Sequence, residues 1–264
     1  GLLGVVNFAH GAFYGLGAYV GLSMITSISP DLGFYVALIV VPLAVGLVGA
    51  AIEMSVIRPL YDRDLIYSLL LTFGVMLVMN EMVRLIWGAG GRSFNRPSGL
   101  DFTVSLVVID YPVYRLFVIA MTGLIALSIW LFLQRTDIGM IVRAATENRD
   151  MVKSLGINIT IIFTLVFGIG TAIAGLAGVL HAPMVSVYPE MGTPIIVQSF
   201  VVVVIGGLNS FRGSIVAGLL VGEASALSYL IWPPMTDVVI FLVMAVFLII
   251  RPQGIFGQSM GGLE

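Results

Sequence analysis

Apolar residues run through this chain in long, nearly unbroken blocks, separated by short polar or proline-containing connections. A bilayer-spanning helix needs about 20 mostly apolar residues, and only helices or closed barrels satisfy every backbone polar group within lipid. Barrel strands alternate apolar and polar positions. These blocks do not, so they predict helices over residues 11–28, 33–57, 65–87, 114–133, 161–180, 193–208, 214–232 and 235–250. The expected architecture is an all-α, polytopic integral membrane bundle of about eight spans, forming one transmembrane domain over 1–264. The segments beginning at Thr193 and Met235 are short enough for a tilt or a re-entrant dip. Residues 1–9 are apolar but too short to span, and read as the tail of a further helix.

Composition narrows the function classes. The 264 residues are 59% hydrophobic and only 10% charged, against about 25% charged in an average soluble domain. Mean hydropathy is +1.10. A soluble enzyme or a disordered tail is excluded, and a net charge of −2 offers no attractive field to nucleic acid. With no cysteine, disulfides, thiolate catalysis and sulfur-bound metals are excluded.

Charge gives an orientation. Arg58 and Arg63 share one connection, Arg135, Arg143, Arg149 and Lys153 another, and Arg212 and Arg251 follow the sixth and eighth segments. If all eight segments cross, these loops fall on one side. The opposite loops hold Arg92 and Arg96, with Arg84 and Arg115 at their border. The positive-inside rule therefore places the 134–160 connection and the C-terminus in the cytoplasm.

The 134–160 loop contains the chain's one lysine. Residues 139–155 read as an amphipathic helix: Ile141, Ala144, Ala145, Met151, Val152 and Leu155 form one stripe, opposite Arg143, Glu147, Asp150 and Lys153. Asp137 is the expected N-cap, and Gly156 suits the left-handed position past the C-terminus. Such a helix either rests on the membrane interface or docks a cytoplasmic partner, with the small Ala144 and Ala145 allowing close approach. The outward loop 88–113 alternates through Phe102, Val104, Leu106 and Val108 and predicts a short hairpin capping the helices.

Glycine pairs at Gly11/Gly15, Gly17/Gly21 and Gly218/Gly222 let helices pack backbone to backbone. A pattern G-x-x-N-x-x-x-G occurs at 4–11 and again at 206–213, before a helix each time. It suggests a repeated helix break of the kind that lines substrate paths in transporters. Ionisable groups inside spans cost roughly 2.5–3.5 kcal/mol at a helix centre, so each needs a partner or a function. Glu223 is the most central. Glu81 with Arg84, and Glu53 with Arg58, are within pairing distance along the chain and read as structural; Asp237 sits at a helix start. His10 and His181 are candidate pathway or hydrogen-bonding groups, and two histidines with scattered carboxylates make no metal site.

Several motifs are missing. Lys153-Ser154 lacks the preceding glycines of a P-loop. No H-E-x-x-H, G-x-S-x-G or potassium-filter sequence occurs, nor a ladder of buried acids for proton pumping.

Three strings carry a resemblance. Gly4-Val-Val-Asn7-Phe8-Ala9-His10-Gly11-Ala-Phe-Tyr14-Gly-Leu-Gly17-Ala-Tyr19 resembles the N-terminal signature of the LivH-type permease subunits of branched-chain (hydrophobic) amino acid ABC importers. Arg143-Ala-Ala-Thr-Glu147-Asn148-Arg149-Asp-Met-Val-Lys-Ser-Leu155-Gly156-Ile-Asn158 resembles that family's coupling loop. Gly206-Gly-Leu-Asn-Ser-Phe-Arg-Gly213-Ser-Ile-Val-Ala-Gly218, with Arg251-Pro-Gln-Gly254-Ile-Phe-Gly257, resembles its C-terminal segments.

The resemblance covers essentially the whole chain. It implies one more helix before Gly1 and a bacterial inner-membrane importer working by alternating access. Its expected partners are a second, LivM-like permease, two cytoplasmic ATP-binding subunits, a periplasmic substrate-binding protein and membrane lipid. ATP and Mg²⁺ would be bound by the ATPase partners, with no cofactor in this chain. The resemblance also favours docking for the loop, through Arg143, Ala144, Ala145, Glu147, Asn148, Leu155 and Gly156. The expected pathway residues are Asn7, Phe8 and His10, with Glu223 second. The family includes permeases for urea, amides and aromatic acids. The principal alternative is a stand-alone ion-coupled transporter or channel that uses Glu223; a third is a structural membrane protein without transport activity.

Overall fold

The computed structural model describes residues 7–256 apart from 62, 107–108 and 208–209. Positions 4–6, 208–209 and 257 of the resembling strings, Gly4 and Asn209 of the repeated pattern, and Val108 of the expected hairpin lie outside the described residues. Ten α-helices and one hairpin are present among the described residues. They are α1 (Ala9–Ser27), α2 (Pro30–Ile52), α3 (Leu65–Trp87), β1 (Thr103–Leu106), β2 (Ile109–Pro112), α4 (Val113–Arg135), α5 (Asp137–Glu147), α6 (Arg149–Ser154), α7 (Ile159–His181), α8 (Gly192–Gly206), α9 (Phe211–Ile231) and α10 (Thr236–Ile250).

The chain is a multi-pass membrane protein, and its surface shows why. Large apolar side chains such as Ile39, Leu43 and Leu47 on α2, or Ile119, Leu124 and Leu127 on α4, point outward, where water would penalise them and lipid does not. Among the described residues, six helices are long and apolar enough to cross: α2 with its extension to Leu60, α3, α4, α7, α9, and α10 with the turn before it. The eight apolar blocks of the sequence also include α8, at 15 residues, and α1. The latter is rich in glycine, alanine and tyrosine and is less apolar because most of it faces protein rather than lipid.

Two compact units divide the chain at Thr193/Pro194. In the first, α1 and α2 pack against α7 with backbones nearly touching. A Cβ on Gly17 would collide with the Gly175 backbone, and one on Gly178 with the Tyr14 carbonyl. Small residues at crossings are how helices gain close contact when lipid supplies no hydrophobic drive between them. Around this centre pack Phe13, Tyr19, Phe34 and Tyr114, all fully or almost fully buried. Tyr114 donates to the Leu180 carbonyl at 2.7 Å, and Phe34 meets its ring edge-on at 6.0 Å.

At the end of this unit opposite α5, Trp87 donates to Ser23 Oγ at 2.7 Å, and Arg92 pairs with Val187 through two backbone bonds of 2.8 and 2.9 Å. The hairpin is antiparallel, with Val104 opposite Tyr111 and Ser105 opposite Asp110. In the second unit α9 and α10 pack together, and the core is Val201, Ile205, Ala217, Val221 and Ile240. Gly206 and Gly213 are in close backbone contact there, and the chain after α10 returns so that Ile255 N–H donates to the Ile205 carbonyl at 2.8 Å.

Gly17→Leu is expected to destabilise the first unit by about 1–3 kcal/mol or more, because backbone must move to admit the side chain. Gly123→Ala, on a helix face with open space around it, is expected to stabilise by about 0.5–1 kcal/mol. Thermal unfolding in mild detergent reads both; an unchanged midpoint for Gly17→Leu would contradict the α1–α7 contact.

Candidate functional site

The charged loop between α4 and α7 forms two helices set at a corner. Thr136, not Asp137, is the N-cap of α5: its Oγ1 accepts from Gly139 N–H at 3.0 Å, while Asp137 occupies the first turn, where the helix dipole favours an acid. Gly139 lies so close to the Phe132 and Leu133 carbonyls that a Cβ would clash, and Arg143 donates to the Leu133 carbonyl. α5 ends because Asn148 is extended. The Asn148 side chain then accepts from Met151 N–H at 2.9 Å and caps α6. Gly156 follows α6 with φ +78°, the left-handed position expected of it.

This break corrects the single helix and single stripe expected over 139–155. Asn148 competes for the backbone as a cap and so re-aims everything after it. The buried face is Gly139, Val142, Ala145 and Val152. Ala144 is exposed, as are Met140, Met151 and Leu155 at 56, 64 and 71%. Arg143, Glu147, Asp150 and Lys153 surround them, also exposed. Ala144 and Ala145, about 100° apart around α5, therefore differ: the first is exposed and the second is buried against the chain's own bundle.

Beneath α6 lies a cluster the sequence showed only in part. α2 continues past Ile52 into a π-helical turn, Glu53–Ile57, and a 3₁₀ turn, Arg58–Leu60. Glu53 is fully buried. Its carboxylate accepts from Arg58 Nη2 at 3.1 Å and Nε at 3.4 Å, from Tyr61 Oη at 2.7 Å and from Thr164 Oγ1 at 2.7 Å. Burial, and after it the bond to Glu53, push the Tyr61 phenol well above its ordinary value, which keeps it a donor. The Glu53–Arg58 pair was legible from chain spacing; Thr164 of α7 is 111 residues from Glu53 and carried no local signal.

Asn7, Phe8 and His10 are brought together at the start of α1. Asn7 Oδ1 accepts from Ala9 N–H at 3.0 Å, Phe8 meets Phe73 of α3 edge-on at 6.0 Å, and His10 packs against Phe167 at 5.6 Å and Phe13 at 6.4 Å. His10 also faces Gly170, the middle of α7, so α1 begins halfway along a spanning helix. The His10 Nδ1 is buried and has no hydrogen-bond partner among the described residues. His181, in contrast, is bonded to Tyr14.

Glu223 lies on α9 in the other unit, midway along a spanning helix, exposed, and with no ion pair or hydrogen bond among the described residues. Its neighbour Gly222 faces open space. On α3, Arg84 pairs with Glu81 at 3.0 Å and with Glu190. No cluster of histidines and carboxylates able to hold a metal exists among the described residues.

The profile of the family described as "branched-chain amino acid transport system / permease component" matches residues 1–248. The high-affinity branched-chain amino acid transport system permease protein BraD of Pseudomonas aeruginosa is 31% identical, covering 98% of this chain and 88% of that protein. The corresponding LivH of Escherichia coli is 30% identical over 98% of this chain and 87% of its own length. A probable branched-chain permease, LivH of Methanocaldococcus jannaschii, is 28% identical over 96 and 83%. No solved structure matches the chain.

Because the protein has no native cysteine, single cysteines can map the loop. Thiol labelling at Ala144→Cys and Met151→Cys is expected to be on the order of ten-fold faster than at Ala145→Cys and Val152→Cys, whose positions open only by local unfolding. Equal rates at Ala144 and Ala145 would contradict the two-faced loop.

Proposed function

The chain belongs to the family of branched-chain amino acid transport system permease components, and on that premise we propose that it is the LivH-type half of an ATP-driven importer for branched-chain or similar hydrophobic amino acids. The observation that carries this reading is the exposed apolar surface of α5–α6, formed by Met140, Ala144, Met151 and Leu155 and ringed by charges. A solvent-side loop that turns large methionine and leucine side chains outward gains from being covered by protein, and its charges set the orientation of what covers it.

In this reading the protein sits in a bacterial inner membrane with this surface and the C-terminus in the cytoplasm, an orientation that the arginine-rich loops support. There two ATP-binding subunits, holding ATP and Mg²⁺, dock on Arg143, Ala144, Glu147, Asn148, Leu155 and Gly156. A second, LivM-like permease completes the pathway, and a periplasmic binding protein delivers substrate to the opposite face. ATP-driven closure then switches the access of the cavity.

The start of α1 suits a section of that pathway. It lies at mid-span, where the dipole of a helix favours a carboxylate, beside the buried His10 Nδ1, which has no hydrogen-bond partner among the described residues. Phe8 supplies an apolar wall next to it. Glu223, a mid-span carboxylate without a partner among the described residues, must face water or another protein rather than lipid, and a pathway shared with the second permease provides both. The same observation is what favours the ion-coupled, stand-alone alternative.

Affinity isolation from native membranes decides between them: two ATP-binding proteins and a second hydrophobic permease should co-purify. A chain isolated alone that transports in liposomes on an ion gradient would overturn the importer reading and leave Glu223 as the coupling group. Within the assembled importer, Ala144→Trp is expected to lower uptake about ten-fold, a coupling loss of ~1.4 kcal/mol, without affecting membrane insertion. Normal uptake in that variant would remove the loop from the docking surface.

A further inference from the structure

We propose that Arg149, Tyr61 and Glu53 form the joint through which displacement of the coupling loop enters the spanning helices, Arg149 being the positioning residue. The inference rests on the loop being the docking element of an ATP-driven importer.

A buried carboxylate is costly unless fully paired, and Glu53 is paired on every side: with Arg58 and Tyr61 from the extension of α2, and with Thr164 from α7. Well-packed apolar side chains would hold two helices at least as firmly. What an ionic cluster adds is a fixed geometry, because its donors and acceptor tolerate only one arrangement. The backbone is shaped to the same end. In the π-helical turn the Arg58 N–H bonds the Glu53 carbonyl, five residues back, so that the two side chains stack on one side and form their ion pair. Such turns are rare, and they concentrate at functional sites.

The Arg149 side chain joins the cluster to the loop. The Arg149 guanidinium, at the first residue of α6, lies 5.0 Å from the Phe163 ring centre and 5.7 Å from that of Tyr61. These rings meet edge-on at 5.7 Å and 88°. Each ring is one step from the carboxylate: Tyr61 bonds it directly, and Phe163 precedes Thr164, which does. Arg149 thus grips α7 and the α2 extension together.

One turn further into the bundle, Gly49 of α2 lies against the buried Thr171 side chain of α7, and Gly46 faces Gly168. A shift of α6 cannot be absorbed by slack at that level, because interiors packed at this density move as units. The Val142 and Val152 contacts hold the loop down; the Arg149 stack sets its angle. Planar guanidinium stacking is directional in a way that a lysine ammonium is not.

The test uses the complete importer in proteoliposomes, with substrate uptake and ATP hydrolysis measured on the same sample. Tyr61→Phe keeps the ring and removes only the bond to Glu53; Arg149→Ala removes the stack; Arg149→Lys returns charge without the planar fork. Tyr61→Phe and Arg149→Ala are expected to assemble and hydrolyse ATP while substrate carried per ATP falls roughly five-fold or more. Arg149→Lys should recover part of that loss. Unchanged substrate per ATP in both variants would overturn the proposal. So would uptake and hydrolysis falling in parallel with the amount of assembled complex, which is the mark of a purely structural cluster. If the unaltered chain binds no ATPase, the importer reading fails first, and that result is distinguishable from coupling that survives Arg149→Ala.

Discussion

The contact of α7 with α1 and α2 is what the first unit depends on. Lipid offers no hydrophobic drive for helices to associate, so the energy comes from close backbone approach and dispersion. Gly17 against Gly175 and Gly178 against Tyr14 supply that approach. A side chain at Gly17, Gly175 or Gly178 would separate the helices and forfeit the contact along their length. α7 also follows directly on the coupling loop, so its first turns carry Ile159, Phe163 and Thr164, on which α6 and the Glu53 cluster rest. One helix therefore bears both the tight core and the anchorage of the loop.

That arrangement gives each kind of contact a distinct role. Glycine crossings make α1, α2 and α7 a body that resists internal shear. The ionic cluster fixes the end of α2 to α7, and the aromatic–guanidinium stack extends the attachment to α6. Outward from it, Ala144, Met151 and Leu155 remain available to a partner. The start of α1, with Asn7, Phe8 and His10, lies in the same body, at mid-span. A push on the loop is thereby linked to the candidate pathway section by rigid elements rather than by a flexible chain.

Much of this was legible in the sequence because the governing signals are local. Apolar blocks located the long helices to within a few residues, since the bilayer sets their length. Alternation from Phe102 onward indicated the hairpin, and Gly156 marked a helix end. The faces of the coupling loop were not legible. Ala144 and Ala145 are neighbours on α5, about 100° apart around its axis, and only the fold decides that Ala145 faces the bundle and Ala144 does not. Asn148 then caps a new helix and re-aims the side chains after it. Thr136 displaced Asp137 as the cap because both can serve and only the fold decides. Glu53 was recognisable as a partner of Arg58 by spacing, but Thr164 meets it, and Phe163 meets Tyr61, through tertiary packing. No periodicity reports a contact across more than a hundred residues. The centrality of α1 was hidden too, since a helix that faces protein is less apolar than one that faces lipid.

The central claim is that the coupling helices and the α2–α7 core move as one body. It is tested most directly by spin labels at Ser154→Cys on α6 and Met54→Cys at the end of α2, both exposed, in the assembled importer. The distance distribution between them should be narrow and unchanged between the nucleotide-free state and an ATP-trapped state. A distribution that broadens or shifts on trapping would show the loop sliding over the bundle, and would contradict the account.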